Sequence, residues 1–129
     1  MAVAAASAET PESLYRQAVN HFSGQRFDAA ESLLRDAVKQ RPRWFEARFL
    51  LGASLVSLGR AAEAVEQLEA ARRLNPAHLD CAKLLAAEYL GLDKPTEALA
   101  ALRPLLTATR SDEELLLLAI EALEVRGNA

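Results

Sequence analysis

The sequence predicts an all-α fold, a solenoid of antiparallel helix pairs. Three observations predict it. Ala and Leu dominate while aromatic residues make up 5% of the chain, which favours helix because those side chains lose little rotamer entropy there. Amphipathic stretches are bounded by helix start and stop signals. Residue classes also recur every 34 positions, and a fixed period of that length marks a repeat array.

The elements follow in order, at 11–23, 27–40, 45–58, 61–74, 79–91, 95–108 and 112–125. Thr10 supplies a capping oxygen and Pro11 a preset dihedral for the first helix. Gly24, Gly59 and Gly91 stand where first helices should stop in left-handed geometry. Pro42 and Pro76 end second helices, because they lack an amide proton and push the preceding residue out of helical geometry. Pro104 should leave the carbonyl of Ala100 without its intrahelical partner and kink the sixth helix. Ser111, Asp112, Glu113 and Glu114 form a capping box that opens the seventh.

The period is carried by whole columns of residues. Ala30, Ala64 and Ala98 keep step, as do Leu34, Leu68 and Leu102, and Pro42 with Pro76. Ala18, Gly52 and Ala86 are small at equivalent positions, while His21, Leu55 and Tyr89 are large. A small residue lets two helix backbones approach, and large ones fill the space around that contact. With Leu51, Ala71 and Leu85, these columns resemble the tetratricopeptide-repeat family. Phe45 to His78 matches best, departing at Arg48. Pro11 to Trp44 departs at Gln17 and His21, and the third unit at Leu105 and Arg110. The resemblance implies a right-handed α-solenoid with a tail at 1–10, repeats at 11–44, 45–78 and 79–110, the last with a degenerate second helix, and a closing helix at 111–129 like the first helix of a fourth repeat.

One pair cannot bury enough apolar surface to offset the entropy of ordering it, so stability comes from stacking. The seventh helix runs through Leu115, Leu116, Leu117, Leu118, Ala119 and Ile120, apolar around most of its circumference. Such a helix needs cover on several sides. Continuing repeats or a second copy of the chain would supply it.

Charge and composition exclude several function classes. A net charge of -3 opposes nucleic-acid binding, which requires clustered cations. Arg35, Lys39, Arg41 and Arg43 read as a solvated outer face interrupted by acids. No apolar run is long enough to span a membrane. Ala6, Ser7 and Ala8 read either as the small-residue end of a cleaved secretory signal or as part of a disordered start, so a bacterial cytoplasm and a periplasm both stay open.

No catalytic, cofactor or metal-ligating constellation is legible, and an enzyme is not expected. His21 falls in a core-facing column and reads as a packed, hydrogen-bonded histidine, while His78 reads as solvent-facing in a turn. Cys81 reads as a buried, inert thiol. Glu63 and Glu66 read as a solvated pair on an outer helix.

The family resemblance implies a concave groove lined by the first helix of each pair. Its positions fall on Tyr15, Val19, Phe22, Phe49, Ala53, Val56, Lys83 and Leu90, a partly apolar wall suited to an amphipathic helix or an extended apolar peptide. Co-chaperone members of the family grip acidic chaperone tails with Lys, Arg and Asn. The corresponding residues here are Tyr15, Val19, Leu50, Asp80 and Leu84, which cannot hold a carboxylate. The expected function is a non-catalytic scaffold that binds a protein or peptide, within a bacterial envelope, export or secretion assembly. A secretion chaperone holding a translocator segment and the regulatory region of a larger enzyme are the alternatives.

Overall fold

The computed structural model describes residues 9–106 and 112–127. The N-terminal tail through Ala8, the capping role of Ser111 and the departure at Arg110 lie outside the described residues. Seven helices follow in order: α1 (Pro11–Ser23), α2 (Phe27–Gln40), α3 (Phe45–Ser57), α4 (Ala61–Leu74), α5 (Leu79–Gly91), α6 (Pro95–Leu106) and α7 (Glu113–Gly127). They differ from the expected spans by a residue or two, chiefly at the ends of α3 and α7.

The helix ends obey the 34-residue period more closely than the sequence suggested. Thr10, Trp44, His78 and Asp112 all precede a first helix. Thr10 Oγ1 accepts from the amide of Ser13 at 3.1 Å, His78 Nδ1 from Cys81 at 3.1 Å, and Asp112 Oδ1 from Leu115 at 2.8 Å. Trp44 makes no side-chain cap. The N-cap of α7 is therefore Asp112, whose oxygen caps the amide three residues beyond its own position.

Left-handed backbone also recurs in step, at Gln25 (φ 62°), Gly59 (φ 76°) and Asp93 (φ 60°). Gly24 has φ −87° and Gly91 lies inside α5, so two of the three glycine stops were misplaced. Each left-handed residue is followed by a basic one whose amide reaches back five residues. Arg26 bonds to the His21 carbonyl at 2.8 Å, Arg60 to Leu55 at 2.9 Å and Lys94 to Tyr89 at 2.8 Å. These are Schellman closures, which satisfy carbonyls left open at a helix end. Before Pro42 and Pro76, Arg41 and Asn75 take φ −136° and −146° and close α2 and α4. Helix α6 continues past Pro104 to Leu106, and Pro104 and Ala100 are both exposed.

Each pair crosses at its small column. Ala18, Gly52 and Ala86 are buried, and a Cβ on Gly52 would lie 2.6 Å from Cγ and Cδ2 of Leu68 on α4. Around that contact Leu34, Leu51, Leu55, Leu68, Leu85 and Leu102 are fully buried in one continuous core. Ser54 is buried too, and its hydroxyl donates to the Leu50 carbonyl at 2.8 Å.

His21 departs from its expected place. It is half-exposed, and its Nδ1 accepts from Arg26 Nε at 2.9 Å. Its counterpart Tyr89 is buried because it lies against α4 of the preceding pair, where its hydroxyl meets Glu69 at 3.2 Å. No described helix precedes α1, so the same column stays open there.

Candidate functional site

Curvature defines the candidate site. Successive first helices touch one another, α1 with α3, α3 with α5 and α5 with α7, whereas successive second helices make no comparable contact among the described residues. The stack thus bends toward its first helices, which line the inner wall.

Two aromatic groups occupy that wall. Tyr15 and Trp44 lie 4.9 Å apart between ring centroids, and the Arg41 guanidinium sits 4.6 Å above the Trp44 ring. Arg41 also donates to the carboxylate of Glu12. A cation stacked on an indole and tied to a carboxylate holds that ring in one orientation. The bond from Arg41 keeps the Glu12 carboxyl below its ordinary pKa, while desolvation and then the charge of Glu46 raise that of Tyr15. Glu12, Tyr15, Arg16, Val19, Asn20 and Trp44 enclose a cleft of about 320 Å³.

The second group is Phe45, Phe49 and His78. The Phe45 and Phe49 rings stack at 5.7 Å, and His78 lies 4.7 Å and 5.2 Å from them. His78 is thus half-buried among aromatics and not solvent-facing in a turn. Its Nδ1 is occupied by the cap, so Nε2 carries the proton of the neutral ring.

The other expected groove residues are placed as follows. Ala53, Val56 and Leu90 are half-buried, and Val19 is exposed. Phe22 is half-buried edge-on against Phe27 at 5.2 Å. Lys83 is not an open groove cation, because its ammonium pairs with Glu114 at 3.0 Å and Asp112 at 3.3 Å, tying α5 to the start of α7. Sequence reasoning missed Trp44, Phe45 and His78. Trp44 was detectable as the one large apolar side chain in a column of polar caps.

A wider recess of about 600 Å³ lies away from this wall, among Arg35, Lys39, Arg48, Gln67 and neighbouring residues. Its two arginines are engaged. Arg35 pairs with Glu31 and Glu63, both at 2.8 Å, and Arg48 donates to Gln67 at 2.8 Å and to the Pro42 carbonyl at 3.0 Å. Arg60 also reaches Glu31 at 2.7 Å and Glu63 at 2.9 Å. Glu63 therefore sits in a charge network between α2 and α4, and is not simply solvated.

Cys81 offers no nucleophile. Burial pushes its thiol to about 11, and the sulfur lies 3.7 Å from the Leu68 carbonyl inside the core. Among the described residues no three His, Cys, Asp or Glu side chains converge as a metal site, and no helix is long and apolar enough to cross a membrane.

Comparison with known proteins defines the class. The family model for anaphase-promoting complex, cyclosome, subunit 3, of tetratricopeptide type, matches residues 2–71 and again 45–105. The chain belongs to the tetratricopeptide-repeat family. No curated protein matches it in sequence. Among solved structures it is similar to the first repeat domain of Spaghetti (RPAP3) bound to an HSP90 peptide, at 15% identity over 92% of this chain and 94% of that one, with a TM-score of 0.81. MamA of AMB-1 is similar at 25% identity over 88% of this chain and 62% of that one, TM-score 0.74. The TPR2B domain of yeast Sti1, in complex with pHsp70, is similar at 17% identity over 88% and 96%, TM-score 0.75.

Proposed function

We propose that this protein is a non-catalytic scaffold whose inner wall binds a peptide or helix of a partner protein. The observation that carries the reading is the pair of aromatic groups along successive first helices, Tyr15 with Trp44 and then Phe45, Phe49 and His78. Partly exposed aromatic rings held by neighbours are efficient anchors, since they bury large apolar area with little further loss of freedom. Two structural neighbours were solved with HSP90 and Hsp70 ligands, which supports a ligand in the equivalent groove here.

The ligand chemistry differs from an acidic tail. Leu50 and Leu84 pack against the core, Asp80 is exposed, and Lys83 is committed to two carboxylates. An apolar or amphipathic segment fits this wall, with Tyr15, Val19, Phe22, Phe49, Ala53, Val56 and Leu90 as its contacts. We infer a bacterial export or secretion assembly as the setting, from the Ala-, Leu- and Arg-rich composition. A chaperone holding a segment of a secreted partner is the second reading, which the net charge of -3 favours.

Affinity capture with wild type and Phe49→Glu tests the assignment. Partners retained by wild type and lost with the variant are expected; the same proteins recovered by both would refute a groove at Phe49.

A further inference from the structure

Helix α7 leaves one apolar face uncovered. Leu116 is 37% exposed, Leu117 65%, Ile120 51% and Leu123 49%, while Leu115, Ala119 and Ala122 are buried on the opposite side. At 100° per residue the four exposed side chains form one stripe centred on Ile120.

The repeat period identifies the face. Leu116 falls in the column of Arg48 and Ala82, and Ile120 in that of Gly52 and Ala86. In α3 this face meets the following helix: Gly52 abuts Leu68, and Arg48 bonds to Gln67. Leu115, by contrast, falls in the column of Cys81, whose sulfur faces the preceding second helix. The open face of α7 is therefore shaped to receive a helix.

Two local features describe that helix. Ile120 stands where α1, α3 and α5 carry Ala18, Gly52 and Ala86. The incoming helix must sit farther out than α4 does on α3, at the ordinary spacing of Leu- and Ile-lined helices. The stripe is also bordered by exposed carboxylates at Glu113, Glu121 and Glu124, and Arg126 is the single cation of α7. None of the three takes part in an ion pair among the described residues, whereas Glu114 is joined to Lys83. A second copy docked on this face would bring two sets of these carboxylates together, and an anionic membrane would be repelled by them.

We propose that the α7 face docks a basic amphipathic helix of a partner protein. Its apolar seam lies on Leu116, Ile120 and Leu123, and its Lys or Arg side chains reach Glu113, Glu121 and Glu124. The site is separate from the aromatic wall and does not depend on a ligand there.

Synthetic amphipathic helices of about four turns, one of Leu and Lys and one of Leu and Glu in the same apolar pattern, test this with the full chain. The Leu/Lys peptide should bind and shift amide resonances of α7. Ile120→Glu should weaken it roughly tenfold or more with unchanged circular dichroism, and Phe49→Glu should leave it intact. A Glu121→Lys, Glu124→Lys double variant should reverse the preference toward the Leu/Glu peptide. Failure of the Leu/Lys peptide to bind, shifts confined to α1 and α3, or an unreversed preference would overturn the proposal. So would light scattering that shows a wild-type dimer dissolved by Ile120→Glu, since the face would then belong to a second copy.

Discussion

A Cβ added to Gly52 would lie 2.6 Å from Leu68 Cγ, so the α3–α4 crossing is closed as far as a hydrogen at residue 52 allows. Leu68 is fully buried, and its Cγ sits near its own backbone, so it has little room to retreat. Ala at this position gains about 1 kcal/mol of helix propensity but incurs an overpacking cost of about 1–3 kcal/mol. Gly52→Ala is expected to lower stability by about 1 kcal/mol, measured by urea denaturation. An unchanged or raised midpoint would show that the crossing is looser.

The three left-handed residues predict a contrast in sign. Gln25 at φ 62° strains its backbone, whereas Gly59 at φ 76° does not. Gln25→Gly should stabilise by about 0.5–1 kcal/mol, and Asp93→Gly by less because Asp tolerates this region better. Gly59→Ala should destabilise by about 1 kcal/mol through backbone strain alone, because nothing lies within 4 Å of the added carbon. Thermal unfolding of the three variants measures the order.

Stability should fall on acidification. The hydrogen bond from Arg60 lowers the pKa of Glu63, that from Arg41 lowers Glu12, and the Leu115 amide followed by Lys83 lowers Asp112. A carboxyl with a depressed folded-state pKa contributes stability that is fully present above its unfolded value and is lost as pH falls through the folded value. The ordinary values are 4.5 for Glu and 3.8 for Asp, so the denaturation midpoint should be flat near neutrality and drop below about pH 4. Added salt should shrink the drop, since these groups are exposed and screened. A midpoint independent of pH between 5 and 3 would refute the contribution.

Cys81 should resist alkylation in the native state. Its thiol is buried and titrates at about 11, so the reactive thiolate is scarce at pH 8. Labelling should become fast in denaturant, with a native rate set by unfolding. Rapid native labelling would contradict the packing of α5 on α4.

The chain has one tryptophan, which makes the groove optically addressable. Arg41 stacks on Trp44 and is tied to Glu12, so Arg41→Ala should free the indole. Emission should shift to the red and anisotropy should fall, with little change in helix content. A wild-type spectrum in the variant would show that Tyr15 alone fixes the ring.

Helix order, the crossing columns and the burial of Cys81 were all legible in the amino-acid sequence. Each depends on residue class at a fixed spacing, and class and spacing are what a chain displays. His78 was misjudged because a residue in a turn after a proline looks solvated until Phe45 and Phe49 are seen to close over it. Gly24 and Gly91 were misjudged because glycine marks left-handed backbone by preference, while the period places it at Gln25 and Asp93.

The periodic pattern by itself determined that helices pair and stack, since the small residues and the turns that follow them permit little else. Tertiary structure decided what the stack presents. Charge partners and ring contacts join residues far apart in the chain, such as Lys83 with Asp112 and Tyr15 with Trp44. Whether a column is buried or open depends on a neighbouring helix being there, which is why Ile120 is exposed in a column whose other members, Ala18, Gly52 and Ala86, are buried.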